Sequence, residues 1–114
     1  MMTMYGIPNC DSIKKARKWL GQQQITYQFH NYKKDGIQPA ELVQWVDQVG
    51  WEVLLNKRGT TWRKLSEAQK AGLDADKAIV LMCEHSSMIK RPVLLYDRHI
   101  EVGFSEQRYA ELFA

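Results

Sequence analysis

Cysteine is scarce in this sequence: its 114 residues include only two, Cys10 and Cys83. Two thiols so far apart do not make the disulfide framework of a small secreted protein, and a reducing cytoplasm is the expected home. No apolar run approaches the roughly 20 residues that a membrane span needs. The N-terminus lacks a basic stretch followed by an apolar core, so no signal peptide is expected. Charge imbalance is also small, at +3. It favours anionic small molecules as ligands and falls short of a nucleic-acid binder. Cys83-x-His85 is too tight and isolated for a zinc site, and no metal is expected. Internal repeats, low-complexity tracts and linkers are absent. What remains is 45% hydrophobic and 25% charged, the composition of one globular domain with an ordinary core. A monomer is expected.

The stretch Tyr5-Gly-Ile-Pro-Asn-Cys-Asp-Ser-Ile-Lys-Lys-Ala-Arg-Lys-Trp-Leu20 organises the chain. An apolar run from Met2 to Ile7 stops at Pro8-Asn9, and a helical pattern begins at Cys10. Ile13, Ala16 and Leu20 fall three and four apart, the spacing of one helix face, while four of the five residues from Lys14 to Lys18 are basic. A cysteine where a strand hands over to a helix aims its sulfur at unpaired backbone N–H groups and the positive end of the helix dipole. Both favour the thiolate, which is the nucleophile. Lys14 adds positive charge one turn along; Asp11 opposes it. A lone cysteine is more often a buried packing residue, but this strand–turn–helix context favours chemistry.

The rest of the chain follows in order. Ile25 to Tyr32 alternates as a second strand, with Ile25, Tyr27 and Phe29 on one side, and a strand–helix–strand unit implies a parallel pair. Lys33 to Gly36 reads as a loop, and Gly21 as a helix stop signal. A helix starts near Pro39, with Leu42, Val43, Val46 and Val49 as its buried face and Gly50 as its end. Val53, Leu54 and Leu55 are expected inside, in a short helical turn. Arg58 to Thr61 reads as a loop, Ser66-x-x-Gln69 as a capping box, and Asp74 to Glu84 as a helix. Ser86 to Pro92 is a connector, Val93–Tyr96 and Ile100–Val102 a hairpin, and Ser105 the cap of a last helix running nearly to Ala114. This order predicts an α/β fold whose two chain ends share one mixed sheet, with a helical insertion at roughly 37–85.

Three segments carry a family likeness: Tyr5 to Ala16, Asn56-Lys-Arg-Gly-Thr-Thr-Trp-Arg-Lys-Leu65, and Met88-Ile-Lys-Arg-Pro-Val-Leu94. Spread over nearly the whole chain, they resemble the thioredoxin-like arsenate reductase family, within it the Spx/YffB-type branch. The resemblance implies a thioredoxin-like fold, Cys10 as the redox cysteine, and Pro92 in the cis form beside it. The expected substrate contacts are Asn9, Lys14, Arg58, Arg91 and Pro92, with the cations as partners for the carboxylates of an anionic thiol such as glutathione. Two departures stand out. Ile13 occupies the place of the second thiol in Cys-x-x-Cys. Of the three arginines expected around arsenate, only Arg91 matches; the others fall on Asn56, with Arg58 as an imperfect substitute, and near Gly103. A tetrahedral dianion needs several charge-assisted donors, so arsenate reduction is not expected.

These residues predict a thiol–disulfide oxidoreductase with one redox cysteine, using glutathione as the external thiol. The alternative is an Spx-like regulator that binds RNA polymerase or another protein. Cys83, among Ile79 and Met82, reads as a packing residue. His30 reads as a polar strand-end residue, His85 and His99 receive no role, and the tryptophans read as core.

Overall fold

The computed structural model describes residues 2–113, so Ala114 lies outside the described residues. Backbone contacts divide the chain into two units, one holding the residues up to Lys34 and from Arg91 onward, the other Asp35–Lys90.

The first unit is built on a four-stranded sheet of order β2-β1-β3-β4, with β1 at Met2–Gly6, β2 at Gln28–Asn31, β3 at Val93–Tyr96 and β4 at His99–Val102. β1 runs parallel to β2, placing Met4 opposite Phe29, and antiparallel to β3, placing Met4 opposite Leu94. β3 and β4 form the expected hairpin. Helix α1 (Asp11–Gln22) connects β1 to β2, and its stripe of Ile13, Ala16 and Leu20 is fully buried with Met4, Leu94 and Tyr109. Each fully buried Leu or Ile contributes about 1.5–3 kcal/mol, so this seam accounts for much of what holds α1 in place.

α1 ends at Gln22, one residue past the Gly21 stop signal. Gly21 stays helical, and Gln24 takes the left-handed conformation at φ 58°. The Ile25 N–H donates to Leu20 O at 3.0 Å and the Gln24 N–H to Gly21 O at 3.1 Å. That pair of bonds satisfies the last carbonyls. The expected loop after β2 is also different. Tyr32–Asp35 forms a helical turn, α2, because Asn31 Oδ1 accepts the N–H groups of Lys33 and Lys34 at 2.9 and 3.3 Å. The last helix of the unit, Glu106–Leu112, starts under Ser105, whose Oγ accepts the Arg108 N–H at 3.1 Å.

The second unit is helical: α3 Pro39–Val49, α4 Trp51–Leu54, α5 Thr60–Arg63, α6 Glu67–Lys70 and α7 Ala75–Glu84, then a 3-10 turn at Ser86–Met88. The last helix of the first unit is therefore α8. Leu55 bridges Ile89, and the Asn56 N–H donates to Met88 O and the Lys90 N–H to Leu54 O, both at 2.7 Å, which ties the two ends of this unit together. The capping box is present: Ser66 Oγ accepts the Gln69 N–H, and Gln69 Oε1 accepts the Ser66 N–H. Two expectations fail here. Val43 and Val53 are 44% and 43% exposed, while Trp45 is buried at 2%. The indole removes more apolar area from water than a valine on the adjoining face, so it sets the rotation of α3. The loop expected through Thr61 is shorter, since Thr60 already begins α5.

Candidate active site

Cys10 is the residue before the first turn of α1, with extended backbone (φ −103°, ψ 133°) and its carbonyl accepting the Lys14 N–H at 2.9 Å. Its side chain makes no capping bond of its own. The sulfur instead faces donors. Burial pushes its thiol up, but the backbone N–H of Ile13, the Arg91 side chain, the backbone N–H of Ser12 and the charge of Arg91 together hold it below the ordinary cysteine range. The helix start therefore acts as the sequence suggested, through N–H groups that have no partner inside the helix. The cation is not the one expected. Lys14 is exposed and takes no part in the shift, whereas Arg91 hydrogen bonds to the sulfur.

Arg91 reaches the thiol because it stands two residues before β3, which pairs with β1. The Arg91–Pro92 peptide is cis, as the resemblance implies. Pro92 is buried, and its carbonyl accepts the Gly103 N–H at 2.8 Å. Gly103 lies at φ 86°, a left-handed conformation in which an arginine would be strained. The position near which a third family arginine would fall is thus shaped for glycine.

Gly6, at the end of β1, was not singled out by its sequence context. A β-carbon there would stand 2.2 Å from Ile13 Cδ1 and 2.9 Å from Ile13 Cγ1. The missing side chain lets the first turn of α1 lie close against β1, which brings the Ile13 N–H to the sulfur. The only available signal was a glycine closing an apolar strand just ahead of the Pro-Asn-Cys turn. Ile13 itself is fully buried, so the place of a second thiol is filled by a core side chain.

Asn9 is exposed beside Cys10. Arg58 belongs to the helical unit, as does Asn56, whose Oδ1 accepts the Arg58 N–H at 3.0 Å. Cys83 also lies in that unit, on α7, where burial and the neighbouring Glu84 carboxylate push its thiol up. His30 rests against Tyr5, ring centroids 4.7 Å apart, and His99 pairs with Glu101 at 3.0 Å. Among the described residues no group of His, Cys, Asp and Glu side chains could hold a metal ion. No helix among them is long and apolar enough to cross a membrane.

Comparison with known proteins agrees with this geometry. The chain is similar over its whole length to the solved YffB protein, with 49% identity, full coverage of both chains and a TM-score of 0.97. An uncharacterized protein of Haemophilus influenzae is 46% identical over 114 residues, the whole of both chains. The global transcriptional regulator Spx of Streptococcus agalactiae is 28% identical over 108 residues, covering 93% of this chain and 78% of the relative. The ArsC family model matches residues 5–112, and with nearly every residue inside that match the chain belongs to the ArsC family.

Proposed function

We propose that this protein is a glutathione-dependent thiol–disulfide oxidoreductase that works through the single thiol of Cys10. The observation that carries the reading is the sulfur at the start of α1, facing the N–H groups of Ser12 and Ile13 and hydrogen bonded by Arg91. A thiolate held in this way attacks one sulfur of a disulfide substrate. A mixed disulfide forms at Cys10, and the other half of the substrate leaves as a thiolate. With Ile13 in the place of a second thiol, an external one completes the cycle. A glutathione thiolate attacks the mixed disulfide, the Cys10 thiolate is released, and the electron pair ends on the leaving sulfur. When the substrate is a mixed disulfide of glutathione with another thiol, Cys10 takes the glutathionyl half, the other thiol leaves reduced, and the second attack yields oxidised glutathione. In this reading Arg91 pairs a glutathione carboxylate once the sulfur is engaged, and the backbone beside Pro92 aligns the peptide. Asn9 and Lys14, in the same unit as Cys10, are the further substrate contacts of this reading.

Arsenate reduction is not part of this reading. Arg91 alone occupies a family arginine position, and Gly103 has the backbone of a glycine turn. The likeness to Spx, named a global transcriptional regulator, supports a second reading in which the chain binds RNA polymerase or another protein. Ile13 in place of a second cysteine removes a Cys-x-x-Cys redox switch, so the enzyme reading is preferred.

Incubation with oxidised glutathione tests the proposal. Intact mass should show one added glutathione, peptide mapping should place it on Cys10, and reduced glutathione should remove it. Titration with reduced glutathione should move backbone NMR signals at Asn9–Ile13 and Lys90–Val93. An internal Cys10–Cys83 disulfide in place of the adduct would overturn the monothiol mechanism. Absence of both adduct and shifts would favour the regulatory reading.

A further inference from the structure

Between α1 and the Phe104–Glu106 segment that opens α8 lies a cleft of about 500 Å³, within the range that holds a small molecule. Its apolar walls are Trp19 and Phe104, both half-buried. Each is held edge-on by the same fully buried ring, that of Tyr109, with centroids 5.7 Å from Trp19 and 4.7 Å from Phe104 and interplanar angles of 83° and 86°. Edge-to-face packing against a core residue holds both rings in place before any ligand arrives, so the parts of them that line the cleft form a preorganised aromatic wall.

The polar side of the cleft is mainly cationic. Lys15 and Lys18 are three residues apart on α1 and therefore project from the same side of the helix. Both are exposed, and neither is in an ion pair among the described residues. Gln22 follows one turn later and offers an amide. The single opposing charge is the Glu106 carboxylate. Two lysines facing one carboxylate leave a net positive rim over an aromatic wall. None of the groups that lower the Cys10 thiol lines this cleft.

We propose that the cleft between α1 and the start of α8 is a second binding site, one that takes a small aromatic anion. The ring of the ligand lies against Trp19 and Phe104, and its anionic group pairs with Lys15 and Lys18. An aliphatic anion would forgo the stacking, and a neutral aromatic would forgo the charge, so the site discriminates by requiring both.

The probe is 2-naphthoate, titrated into the full chain labelled with nitrogen-15. Saturable amide shifts are expected at Lys15, Lys18, Trp19, Gln22 and Phe104–Glu106, with cyclohexanecarboxylate and neutral 2-naphthamide each binding more weakly. The double substitution Lys15→Gln and Lys18→Gln should weaken naphthoate binding about fivefold, and Glu106→Gln should tighten it about twofold, the size of exposed charge contacts. The Glu106→Gln gain also separates the charge argument from any loss of folding. Shifts that never saturate or centre elsewhere would overturn the proposal. So would naphthamide binding as tightly as naphthoate, or an affinity that none of these substitutions changes.

Discussion

The two cysteines are half-buried side chains at opposite ends of helices, and their thiols are driven in opposite directions. Cys10 precedes the first residue of α1; Cys83 is the last but one of α7. At the start of a helix the backbone presents N–H groups without partners, and at the end it presents carbonyls without partners. Burial works against the thiolate at both. At Cys10 the Ile13 and Ser12 N–H groups and Arg91 overcome it; at Cys83 the Glu84 carboxylate adds to it. With burial opposing the thiolate at both, the contrast comes from the N–H donors and Arg91 at one thiol and from Glu84 at the other.

The comparison is most severely tested by removing one thiol at a time. Cys10→Ser should abolish both the glutathione adduct and disulfide reduction, read by intact mass and a coupled reductase assay. Adduct persisting on the variant would mean that Cys83 is the reactive thiol and that the contrast between the helix ends is wrong.

Next in size is the effect of closing the gap that lets α1 lie against β1. Gly6→Ala should cost about 2 kcal/mol, the typical penalty of overpacking. Adding Ile13→Val removes the Cδ1 that the new methyl meets and should recover part of the loss. Thermal unfolding of the single and double variants measures both steps, and the Cys10 thiol should rise in the single variant as the Ile13 N–H moves away.

The role of Arg91 is read from the pH dependence of alkylation. Iodoacetamide consumes only the thiolate. The curve for Cys10 should therefore have its midpoint below the free value of about 8.5, and that for Cys83 above it. Arg91→Ala should move the Cys10 midpoint upward and slow alkylation at pH 7. Arg91→Lys should fall between. A midpoint unmoved in Arg91→Ala would leave the backbone donors as the whole cause.

The smallest effects sharpen the contrast by their size. Cys83→Ser should keep adduct and turnover, with a stability loss of no more than about 1 kcal/mol for placing a hydroxyl in a partly apolar setting. Lys14→Gln should change the Cys10 alkylation curve less than about twofold, because exposed charges contribute little. Loss of turnover in a folded Cys83→Ser protein would show that the second thiol resolves the first.

What the sequence by itself determined is local. The stripe of Ile13, Ala16 and Leu20, the caps at Ser66 and Ser105, and the strand–turn–helix setting of Cys10 depend on residues a few positions apart, and all are present. The family likeness added the cis peptide before Pro92 and singled out Arg91. Only the tertiary structure decided that Arg91, rather than Lys14, charges the thiol, because that follows from pairing strands at the two ends of the chain. It also decided that Gly6 lies against the Ile13 side chain and that Val43 is left exposed. Helical spacing says which residues share a face, but not which neighbour covers it or how close a helix and a strand must lie. Those distances are set by the packing of side chains that are remote in sequence.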